Sequence, residues 1–172
     1  GYEVGEPPFS DPQRLNISDS DLSALSDGLG KIVIGRISDG HAAAGSGEIR
    51  LGAHATFASP LVWDNLEVYG GSIVVADLPA SPDFRLIVDG SITLDAVNNI
   101  TIQNEMQAGA DTLRNVSLYS AQGLILQSNA AAAIDDGASS EAVRADRLTV
   151  RAATGVDLRF LEVGSVAATN TT

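Results

Sequence analysis

The 172-residue chain has no cysteine, which excludes disulfide staples and thiolate metal sites. Aromatic residues are only 5%, with one Trp, three Tyr and four Phe, so Ile, Leu, Val and Ala must fill nearly all of the core. Basic residues are also scarce. Ten Lys and Arg stand against 22 Asp and Glu, a formal charge of −12 that repels phosphate backbones and anionic bilayers and argues against a nucleic-acid partner. No apolar run approaches the roughly 18 residues that suggest a spanning helix, so membrane insertion is not expected. The chain begins at Gly1 rather than Met and carries no basic and apolar leader, which reads as a processed or excised piece of something longer.

What the chain does have is a repeat. The triplets Ile100-Thr101-Ile102, Leu124-Ile125-Leu126 and Leu148-Thr149-Val150 are set 24 residues apart. Ile92-Thr93-Leu94 is followed at the same step by Val116-Ser117-Leu118, and Ile49-Arg50-Leu51 by Ile73-Val74-Val75. Apolar residues at i and i+2 line one face of a strand, and self-similarity at this period marks stacked units that bury their apolar faces only against neighbours. The fold class expected is all-β: a parallel β-helix or solenoid of roughly six coils, about 24 residues each. A β-sandwich is the alternative, which would show more hairpin turns and a less regular step. The expected interior ladder is Ile92 with Val116, Ile100 with Leu124 and Leu148, and Ile102 with Leu126 and Val150.

The chain divides into three parts. Residues 1–17, with Pro7, Pro8 and Pro12, read as an extended N-terminal arm. Residues 18–29 read as a short capping helix, since Ser18-Asp19-Ser20-Asp21 precedes Leu22 and Leu25 and Gly28 follows. Residues 30–172 form the solenoid, with a bulged Ala-rich loop over 130–145 and a short helix as an option over 139–146. Asn98, Asn99, Asn104 and Asn129 flank strands and are expected at coil corners, where amides can bond along the axis.

Three stretches resemble the filamentous-haemagglutinin-like β-solenoids of very large bacterial surface and secreted exoproteins. They are Leu15 to Arg36, which includes Asp27-Gly28-Leu29-Gly30-Lys31-Ile32-Val33-Ile34-Gly35-Arg36, then Gly71 to Val75, and Ala145 to Thr172. The resemblance implies a right-handed helix, an extracellular or cell-surface location, and a non-enzymatic filament or adhesin role. Partners would be further segments along the axis, or a glycan or host-surface ligand.

Candidate chemistry is sparse. Asp135 and Asp136 are the best surface calcium ligands, and Gln107 to Leu113 echoes half of one calcium-binding nonapeptide, which cannot act singly. No other cofactor is expected. Phe57, Trp63 and Tyr69 are the one aromatic concentration, either a sugar-stacking patch or, as favoured here, part of the core. Asp89 and Asp95 with Arg85, and Asp157 with Arg151 and Arg159, could serve a polysaccharide-cleaving β-helix but fit solvated strand ends. His41 and His54 lack a third ligand and are expected in exposed loops. Thr93, Thr101 and Thr149 read as isolated, which disfavours an ice-binding rank.

Overall fold

The computed structural model describes residues 14–17, 24, 28–51, 62–76, 85–128, 143–159 and 161–170. The described part is all-β and almost wholly parallel. The strands are β1 (Arg14–Ile17), β2 (Lys31–Gly35), β3 (Ile37–Ser38), β4 (His41–Ala42), β5 (Glu48–Leu51), β6 (Asn65–Gly70), β7 (Ser72–Val75) and β8 (Arg85–Val88). They continue with β9 (Ile92–Ala96), β10 (Ile100–Ile102), β11 (Glu105–Ala108), β12 (Asn115–Ser120), β13 (Leu124–Gln127), β14 (Val143–Ala152), β15 (Gly155–Asp157) and β16 (Leu161–Asn170).

One sheet has the order β1-β5-β7-β10-β13-β15. The second has a long flank, β2-β6-β9-β12, and a short flank, β8-β11, joined by β14. β14 bends across both flanks, pairing with β11 at Val143 and with β12 from Arg147 to Ala152, and β16 follows it over its length. The sheets therefore curl around a single apolar core, an arrangement compatible with a β-solenoid. That core is aliphatic, as the composition required: Leu51, Leu66, Ile73, Leu86, Ile92, Leu94, Ile100, Ile102, Met106, Leu118 and Ile125 are its largest fully buried members.

Strands form where β-branched and leucine residues alternate with polar ones, because a pleated strand sends successive side chains to opposite sides. β12 alternates in this way: Val116 and Leu118 are buried while Asn115, Ser117 and Tyr119 face out. Pairing along the long flank aligns Ile92 with Val116 and Val116 with Leu148, and the first sheet aligns Ile49 with Ile73.

The remainder of the expected ladder is corrected by the register. Ile100 pairs with Ile125, Thr101 with Leu126 and Ile102 with Gln127. Ile125 is thus the inward residue, Leu124 is 36% exposed, and Leu126 is half-buried on the outer side. Leu148 and Val150 belong to the other sheet, opposite Val116 and Leu118. The physical reason lies in the corners. From Ile92 to Ile100 the chain takes eight residues to reach the first sheet, and from Val116 to Ile125 it takes nine. One extra residue reverses which side chains point inward.

The step between stacked partners also varies. It is 24 from Ile49 to Ile73, 27 from Ile73 to Ile100, 34 from Ile32 to Leu66 and 18 from Leu148 to Val166. A uniform 24-residue coil is absent. Arg14–Ile17, assigned above to the arm, is a strand paired with β5, and Val143 to Asp146 is strand rather than helix. Most of the expected capping helix, Asn129 and the Ala-rich loop up to residue 142 lie outside the described residues. Asn99 does bond along the stack, its Oδ1 accepting the Leu124 N–H at 3.0 Å, whereas among the described residues Asn104 Oδ1 accepts from its neighbour Glu105.

Candidate functional site

The outer face of the long flank carries a connected set of polar contacts. Its register produces a column in which Gly35, Tyr69, Asp95, Tyr119, Arg151 and Thr169 follow one another on adjacent strands. A second column holds Glu67, Thr93, Ser117, Thr149 and Ala167. Thr93 and Thr149 are therefore aligned through Ser117, not isolated, and Thr101 lies on the other sheet. Neighbouring positions in a column sit about 4.8 Å apart.

A β-hairpin folds over the first column. Gly35 ends β2 at φ +105°, and Asp39 and Gly40, at φ 53° and 82°, make the tight turn between β3 and β4. Two successive positive φ values suit the twist of a two-residue hairpin loop, and Asp-Gly is the dipeptide that adopts them most readily. That dipeptide was the available sequence signal for this strap. It went unread because a repeat of parallel strands gives no reason to look for a hairpin.

The strap is fastened by one carboxylate. His41 Nδ1 lies 2.7 Å from Asp95 Oδ2, and the Ala42 backbone N–H donates to Asp95 Oδ1 at 3.0 Å. Asp95 is only 4% exposed, and both of its oxygens are engaged by the same hairpin. The His41 ring stacks on Tyr119 with centroids 4.4 Å apart, and Arg151 Cζ stands 5.3 Å from the Tyr119 centroid. On the other side of Asp95, Tyr69 is 8% exposed and bonded to Glu67, which is itself paired with Lys31 at 3.1 Å. Burial, and then the nearby Glu67 carboxylate, push the Tyr69 hydroxyl above its ordinary range.

An aspartate holding the Nδ1 edge of a histidine is also how a general base is oriented. Here, among the described residues, no hydroxyl is hydrogen-bonded to His41, and no group of three His, Cys, Asp or Glu converges to hold a metal. The pair works as a clamp. Asp95→Ala should strand a backbone donor and a ring donor, a cost of roughly 1–3 kcal/mol. The expected result is faster amide exchange confined to residues 36–43, with the melting temperature lowered by only a few degrees.

The other candidates are dispersed. Asp157 and Arg159 form an exposed bidentate pair, at 2.8 and 3.0 Å, on the first-sheet side, and the guanidinium holds the Asp157 carboxyl below its usual value. Arg151 is not part of that pair, since it lies over Tyr119. Asp89 accepts from the Ala110 N–H at 3.3 Å, separate from Asp95, and the Arg85 side chain lies outside the description. Trp63 is 49% exposed while Tyr69 is buried, so the favoured core reading of Trp63 fails and the two rings do not form one open patch. Phe57, His54, Asp135 and Asp136 lie outside the described residues.

No protein-family model, curated protein or solved structure matches the chain.

Proposed function

We propose that the chain is a non-enzymatic structural segment of a bacterial extracellular or cell-surface filament of the filamentous-haemagglutinin-like kind. In this reading its coils form a right-handed parallel β-solenoid extended by axial pairing with a second copy or an adjoining segment. The carrying observation is the state of the outermost strands. Val156 stacks in register on buried Ile125, and Val166 on buried Leu148, yet they are 40% and 52% exposed. Inward ladder positions that remain solvated favour a further coil, because another strand would cover the side chains and bond the backbone edge that has no partner among the described residues. Bonds between successive strands run along the stack, so load is shared through many parallel backbone contacts.

Sedimentation across a concentration series, with negative-stain images of the same samples, tests the reading. The native chain should show growing species and short rods, and Val156→Lys with Val166→Lys should leave monomers of unchanged fold. A native chain that stays monomeric at every concentration would overturn self-assembly.

A further inference from the structure

We infer that the outer face of β12, β14 and β16 is a binding surface for an anionic polysaccharide, with Arg147 and Arg151 as its recognition groups. The inference goes beyond the filament reading and does not depend on it. Nine residues of the long flank face outward here: Asn115, Ser117 and Tyr119 on β12, Arg147, Thr149 and Arg151 on β14, and Ser165, Ala167 and Thr169 on β16. None is acidic, although the chain as a whole carries −12. Lys31, Arg50, Arg144 and Arg159 each stand beside a carboxylate, whereas Arg147 and Arg151 are exposed and make no ion pair among the described residues.

Two neighbouring acids already have partners: Asp95 is held by His41 and Ala42, and Glu162 by Arg144. Asp146, just before Arg147, is exposed at the corner and makes no ion pair among the described residues. The strap therefore does more than cover Tyr69. It occupies both oxygens of the one carboxylate in the Arg151 column and leaves the His41 ring at the rim. A guanidinium offers a planar fork that matches carboxylate or sulfate oxygens, and Ser117, Thr149, Ser165 and Thr169 supply hydroxyls for the sugar.

Two physical points select the polymer. Tyr119 has His41 stacked on its ring and the Arg151 guanidinium above it, so it offers no open platform for a nucleobase, which single-strand binding relies on. Repulsion from the remaining negative charge fades beyond a Debye length of about 8 Å at physiological salt. Arg147 and Arg151 are four residues apart on one strand, roughly 14 Å, so they act as separate contacts to a repeating anion.

Calorimetric titration of the full chain with polygalacturonate, dextran sulfate, neutral dextran and oligo-dT tests the inference. Binding of a polyanionic glycan is expected, with none to neutral dextran. Arg147→Gln and Arg151→Gln should each weaken it roughly tenfold, without moving the melting temperature, and Arg159→Gln should leave it unchanged. Preference between the first two polymers assigns the anion as carboxylate or sulfate, each on the same two arginines. Absence of binding to both, binding indifferent to the two arginines, or equally tight capture of oligo-dT would each overturn it.

Discussion

Ile125→Asp is expected to abolish the cooperative thermal transition, while Leu126→Asp, one residue further on, lowers it by a few degrees at most. Ile125 is fully buried opposite Ile100, whereas Leu126 is half-buried on the outer side opposite Thr101. An unpaired carboxylate in an aliphatic interior costs several kcal/mol on top of the lost burial. That is comparable with the whole stability of a domain, about 5–15 kcal/mol. Circular dichroism melts of the two variants and the native chain make the comparison directly. Equal losses would place both side chains on one side of the strand and sink the register.

The second large effect is expected at Gly35. A Cβ there would stand 1.9 Å from the Tyr69 carbonyl oxygen, which is backbone and cannot swing away, and φ is +105°. Gly35→Ala therefore carries both strain and a collision, for a loss of roughly 2 kcal/mol or more. The melting temperature should fall by roughly 5 °C or more. Because Gly35 joins β2 to the strap, amide exchange should quicken in β2 and β6 as well as in residues 36–43. Asp95→Ala, in contrast, should release only the strap. A Gly35→Ala chain that melts like the native one would show that the close approach to Tyr69 is dispensable.

Both predictions rest on register, and register was only partly legible in the sequence. The alternation in Ile92-Thr93-Leu94 and Val116-Ser117-Leu118 is real stacking, because those triplets occupy one flank and are separated by one circuit of the core. Leu124-Ile125-Leu126 has the same texture and the same spacing, but apolar side chains on both faces hide the phase of the strand. Only the corner length, eight residues or nine, decides it. The strap was missed for a related reason. His41 and Asp95 are 54 positions apart, and their meeting depends on a hairpin crossing from β2 toward β9 and β12, which no local pattern encodes. Arg147 and Arg151 were visible as alternating residues of one strand. Their lack of carboxylate neighbours required knowing which strands flank β14.

The shortest circuit, 18 residues from Leu148 to Val166, has a bearing on how such a chain changes over generations. The longer circuit from Ile32 to Leu66 keeps the same inward ladder and carries the strap before β5 outside it. Insertions and deletions at a corner are therefore tolerated without repacking the interior, provided that the phase of the next strand is kept. Corners become grafting points at which appendages can be gained, lengthened or discarded while the aliphatic column beneath them is inherited intact.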